Sequence, residues 1–142
     1  MRELADTSAW IWSRRIGYPQ LRAEFDAALV DGAVATCDMV RLELLHSARN
    51  PAEFTELQED LAVLSDCPIG KPQWERALWV YAQLNARGGG SKHRSVKHPD
   101  LLVAAAAETA GVTVLHYDED YDRIAAITGQ PTRWLAPRGT LR

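Results

Sequence analysis

Five short apolar stretches, Glu3 to Ala5, Ala33 to Thr36, Leu61 to Leu64, Val112 to His116 and Thr132 to Leu135, alternate with longer segments whose apolar residues recur at helical spacing. No other feature of the chain narrows its fold as far. The helical periods are Leu21, Phe25, Ala28 and Leu29, then Val40, Leu44, Leu45 and Ala48, then Trp74, Ala77, Leu78 and Tyr81. The last group follows Pro72, a residue suited to a first helical turn. Strands separated by helices of about ten residues or more argue for a mostly parallel sheet, which needs cover on both faces. The expected class is therefore α/β, with a central sheet of four to five strands. Asn50-Pro51 divides one helix from the next, and Gly111 stops the Ala-rich helix that Pro99 opens, so that Val112 can begin a strand. With no linker and no internal repeat, the 142 residues are expected to form one domain, residues 1–142.

The net charge of −3, with 46% apolar and 25% charged residues, is that of an ordinary soluble protein and by itself points to neither nucleic acid nor membrane. Any binding signal must be local. From Arg76 to Pro99 there are five Lys or Arg and no acid, and the segment 87–98 (RGGGSKHRSVKH) reads as a basic, glycine-rich loop. Arg87, Lys92, Arg94 and Lys97 would meet phosphates there, and the glycines would let the backbone approach. A solvated connector is the alternative. Cys37 and Cys67 have no zinc-ligand spacing and read as buried thiols in a reducing compartment. With no apolar leader and no run approaching a membrane span, the expected location is the cytoplasm.

The fourth stretch runs into acid. In TVLHYDEDYD, residues 113–122, a core strand is followed by Asp118, Glu119, Asp120 and Asp122. Asp6 ends the first stretch in the same way. If chain order reverses between those two strands, both acids line the crevice at the switch point, the usual place for a site in an open parallel sheet. Glu43, five residues past a helix cap expected at Asp38, lies at the border of the apolar face of Val40, Leu44 and Leu45. Asp100 falls in the first turn of the helix Leu101 to Ala110, where negative charge is favoured. Each acid taken singly has a plainer role: Asp6, Asp118 or Asp120 as caps, Asp100 as a partner of the helix dipole. Capping explains neither Glu43 nor the acids at both strand ends. Two carboxylates about 4 Å apart repel by roughly 4 kcal/mol at an effective dielectric near 20, so four together need added positive charge. Arg41 and Lys97 supply part of it, and protons or a metal the rest. Oxygen ligands without Cys or an evident His favour Mg²⁺, with Mn²⁺ as substitute. The chemistry suggested is hydrolysis of a phosphodiester.

Asp6-Thr7-Ser8, Glu43 within Arg41-Leu42-Glu43-Leu44-Leu45, Asp100 within Pro99-Asp100-Leu101-Leu102-Val103-Ala104-Ala105, and Asp118-Glu119-Asp120-Tyr121 together resemble the four acidic motifs of PIN-domain ribonucleases, most closely the VapC-type toxins of bacterial toxin-antitoxin pairs. The resemblance covers nearly the whole chain, in order. It implies a three-layer α/β/α fold and a Mg²⁺- or Mn²⁺-dependent endoribonuclease acting on structured RNA, tRNA or rRNA, and so inhibiting translation. It also implies a homodimer, neutralised by a VapB-type antitoxin whose tail blocks the active site. On this resemblance Asp6, Glu43, Asp100 and Asp118 are the catalytic, metal-binding acids, with Ser8 in support. Asp120 either takes a second ion or holds the other ligands. Glu119 and Asp122 read as solvated, His98 and His116 as structural, and the tryptophans, Trp74 among them, as residues of core or dimer packing. Arg41 pairs with Glu43 or contacts RNA. The competing reading is a catalytically silent PIN-like module that binds RNA or protein.

Overall fold

The structure is a computed structural model describing residues 2–87 and 96–142. Its strands are β1 (Glu3–Ala5), β2 (Val34–Thr36), β3 (Ser65–Asp66), β4 (Thr113–His116) and β5 (Thr132–Trp134). They form one parallel sheet in the order β3-β2-β1-β4-β5. Leu4 stands opposite Ala35 on one side and Val114 on the other. Leu4, Ala5, Val34, Ala35, Val114 and Leu115 are all buried, as strands covered on both faces must be. The chain lays down β1, moves outward through β2 to β3, then returns to the opposite side of β1 for β4 and β5. The reversal falls between β1 and β4, as the acids anticipated.

Among the described residues the helices are α1 (Thr7–Ser13), α2 (Pro19–Val30), α3 (Asp38–His46), α4 (Pro51–Ala62), α5 (Lys71–Ala86), α6 (His98–Ala110) and α7 (Asp120–Thr128). They cover the sheet in a three-layer α/β/α arrangement. Helix α6 is buried from Asp100 through Ala107, and its alanines let neighbouring elements approach closely. Gly111 ends it in the left-handed region at φ 70°, which a residue with a Cβ adopts only at a cost. No described helix is long and apolar enough to cross a membrane.

Two expectations are corrected. The stretch Leu61 to Leu64 is not a strand: Leu61 lies in the last turn of α4, Val63 is 84% exposed, and the edge strand is the later, two-residue β3. Leu57, Leu61 and Leu64 share a helical repeat that outweighs the short apolar run. Asp38 is not a cap but the first residue of α3, whose cap position is Cys37. Of the two packing roles expected for Trp74, its 52% exposure leaves it outside the core, whereas Trp10 joins the core, edge-on to Phe25.

Candidate active site

Asp6 closes β1 and caps α1: its Oδ2 accepts from the Ser8 amide at 3.2 Å and the Ser8 hydroxyl at 2.8 Å. The same hydroxyl accepts the Tyr117 amide at 2.9 Å, so one small side chain ties the end of β1 to the end of β4. The Asp6 amide donates to the Leu115 carbonyl, continuing that seam. The plainer reading of Asp6 as a cap is thus correct for Oδ2. It leaves Oδ1 unexplained, for that oxygen is buried without a hydrogen-bond partner among the described residues.

Asp100 enters from the first turn of α6. Its Oδ1 accepts from the Tyr121 hydroxyl at 3.3 Å, and among the described residues its buried Oδ2 has no hydrogen bond, only the Lys97 ammonium at 3.5 Å. A buried oxygen without a partner costs about 1–3 kcal/mol, and more when charged. Burial pushes the Asp100 carboxyl up to about 9, helped by the Asp6 charge. Burial acts the same way on Asp120, yet the neighbouring protonated Asp100 carboxyl and the bonds from Lys97 outweigh it and hold Asp120 below the usual carboxylate range. Tyr121, buried and facing Asp6 and Asp100, is held protonated well above its ordinary value.

Asp118 comes from the turn between β4 and α7, and Asp120 opens α7. Asp118 Oδ1 accepts the Asp120 amide at 2.9 Å, while its own amide donates to His116 Nδ1 at 3.1 Å. His116 is fully buried between Tyr121 and Trp134, and burial lowers its pKa, so it remains neutral with Nδ1 as acceptor. Asp120 Oδ1 accepts from Arg123 at 3.0 Å. One oxygen from each of Asp100, Asp118 and Asp120 lies within 4.8 Å of the others, a group able to hold a metal ion.

Glu43 reaches the same crevice from α3 and accepts from the Thr7 hydroxyl at 2.9 Å. Its burial, and then the Asp6 charge, raise its pKa against that bond. Glu43 and Asp6 stand beside the trio rather than in it. Lys97 departs most from a loop residue awaiting RNA: its ammonium lies 2.7 Å from Asp118 and 2.9 Å from Asp120. Arg41 pairs with Asp66 at 2.6 Å and Asp38 at 3.0 Å, at the far edge of the sheet and not with Glu43. Arg87 is exposed at the end of α5, and Lys92 and Arg94 lie outside the described residues. Glu119 pairs with Arg123 and Arg138, and Asp122 accepts from the Trp134 ring nitrogen. Sequence reading missed the roles of Thr7 and Tyr121, although both sit inside the acidic motifs.

The acids suit a hard divalent ion: the crevice offers carboxylate oxygens only, of which Asp100 Oδ2 and, beside the trio, Asp6 Oδ1 are buried without hydrogen bonds among the described residues, and burial, aided by the Asp6 charge, holds the Asp100 carboxyl protonated. A family model described as PIN domain matches residues 4–127. Ribonuclease VapC18 of Mycobacterium tuberculosis is 48% identical over 136 residues, covering 96% of each chain. Ribonuclease VapC51 of the same organism is 39% identical over 141 residues, 99% of this chain and 98% of its own. Among solved structures, VapBC-1 from nontypeable Haemophilus influenzae superposes with a TM-score of 0.71 at 15% identity, covering 95% of this chain and 98% of that one. DNA-bound VapBC from Salmonella typhimurium gives 0.69 at 15% identity, covering 96% and 99%. At such identity the two structures speak for the fold alone.

Proposed function

The chain belongs to the PIN-domain family, among the VapC ribonucleases, and from that premise we propose that it is a Mg²⁺- or Mn²⁺-dependent endoribonuclease toxin. The observation that carries this reading is the convergence of Asp6, Glu43, Asp100, Asp118 and Asp120 on the β1–β4 crevice, with buried oxygens of Asp6 and Asp100 left unpartnered. Its substrate is structured RNA, tRNA or rRNA, whose cleavage stops translation. Its partners are a VapB-type antitoxin and a second copy of the chain, and it works in the cytoplasm.

Asp100, Asp118 and Asp120 would hold the ion, with Asp6 and Glu43 completing the negative wall. When bound, the ion would make a water more acidic and stabilise charge on the leaving oxygen. The protein's own contribution is position. Ser8 locks Asp6 to the β4 end, Thr7 orients Glu43, and His116 fixes the amide of Asp118. The Tyr121 hydroxyl directs Asp100 into the crevice. Arg87, Lys92, Arg94 and Arg41 are assigned to RNA phosphates, and so is Lys97 once it leaves the acids.

Incubating the purified chain with total tRNA and rRNA tests the reading. Cleavage is expected with Mg²⁺ or Mn²⁺, is lost in chelator, and is lost in D6N and D100N. The silent-module reading draws its support from Lys97, which neutralises the trio without an ion. RNA bound but intact under every metal condition would establish that reading instead.

A further inference from the structure

The oxygens that would face a divalent ion already have a cation on them. Lys97 Nζ lies 2.7 Å from Asp118 Oδ2, 2.9 Å from Asp120 Oδ2 and 3.5 Å from Asp100 Oδ2. These three residues are also the ones whose ligand atoms lie within 4.8 Å of one another. An ammonium and a divalent ion cannot both occupy that gap, since an ion coordinated at about 2.0–2.1 Å would take the same lone pairs. We propose that Lys97 is a resident counter-ion of the acid trio which a divalent ion must displace, so that this residue sets the affinity of the site for metal.

The inference rests on the nuclease reading but concerns a property of its own. The local architecture fits a cation built to be displaced. The main chain of Lys97 is fixed at the entrance to α6: its amide donates to Asp120 Oδ2 at 3.0 Å and its carbonyl accepts the Asp100 amide at 3.1 Å. Its side chain is 58% exposed, while those of Asp100 and Asp120 are 5% and 4% exposed. The acids therefore stay and the ammonium is free to swing into solvent. Without it, no other cation among the described residues would face the inner oxygens of the metal-free site, for Arg123 reaches only the outer oxygen of Asp120. After displacement the ammonium remains tethered beside the crevice, available to an anionic substrate.

The test is Mn²⁺ binding by calorimetry to the full chain after chelator treatment, for wild type, K97M and K97R. K97M is expected to bind roughly tenfold tighter, a difference of about 1.4 kcal/mol. K97R, which keeps the competing charge, should stay near wild type. Thermal melting gives a second readout: without metal K97M melts below wild type, and saturating Mn²⁺ closes the gap. K97Q replaces K97M should the latter fail to fold. Equal or weaker Mn²⁺ binding by the neutral variants, or identical isotherms because no form binds, overturns the inference. RNA cleavage by the wild type is measured separately. Cleavage with unchanged K97M affinity leaves the nuclease reading standing without the counter-ion, and tighter K97M binding without any cleavage does the reverse.

Discussion

At the residue scale, Asp100 shows how the site holds its charge. Its carboxyl is raised in the folded chain to about 9, so between the ordinary value of 3.8 and that point the native state holds a proton that the unfolded state has lost. Stability must then fall as pH rises through this window, because the unfolded state binds fewer protons. Asp120 has the opposite sign: its depressed pKa stabilises the fold above the ordinary carboxylate range and is lost only in acid. Metal-free protein should therefore melt progressively lower from about pH 5 to pH 9, and D100N should flatten that slope. Melting curves in chelator across the range check it, and a wild-type slope that D100N leaves intact would remove Asp100 as its source. D6N should keep the cap on α1, since Asn serves that position as well as Asp, and should melt within about 0.5 kcal/mol of wild type without metal while losing cleavage. The acids were legible because their positions at strand ends and in first turns follow from chain order. Of their partners only Lys97 was, as a base near the acids in sequence. Thr7 meets Glu43 across 36 residues, and the reach of flexible side chains leaves no periodic trace.

At the scale of elements, boundaries written by glycine and proline were the readable ones. Gly111 ends α6 and Pro51 opens α4 because backbone sterics act within a residue or two. The third strand was misread because Leu61 to Leu64 satisfies both a short apolar run and the tail of a helical repeat. Only tertiary context, which places Val63 in solvent, separates them. Asn50 offers a clean test of an element remote from the acids. Its side chain accepts the Glu53 amide at 2.8 Å, capping α4, and the Asn50 residue is exposed. N50A should cost about 1 kcal/mol, seen in urea denaturation, with Mn²⁺ affinity and RNA cleavage unchanged. A fall in cleavage at full folding would mean that α4 communicates with the crevice.

At the scale of the molecule, the described residues leave apolar surface without cover. On α5, Trp74, Leu78 and Trp79 are 52%, 63% and 46% exposed, and beside them Met39, Tyr81, Leu101 and Leu102 line an apolar groove of about 380 Å³. Exposed apolar surface of this kind marks an interaction site more often than a bare monomer face. The homodimer proposed for this chain would need one patch presented by both copies, and the groove with the Trp74 edge supplies both a projection and a recess. A charge at Trp74 and at Leu78 would be stranded in such an interface and harmless in water. In sedimentation velocity the wild type should therefore run at about twice the 15.8 kDa chain mass, and W74E/L78E as a single chain. Melting temperature should rise with protein concentration for the wild type, because association stabilises only the folded form, and should be independent of concentration for the double variant. A wild type that sediments as one chain at every concentration removes the homodimer and leaves the α5 face for a partner of another kind.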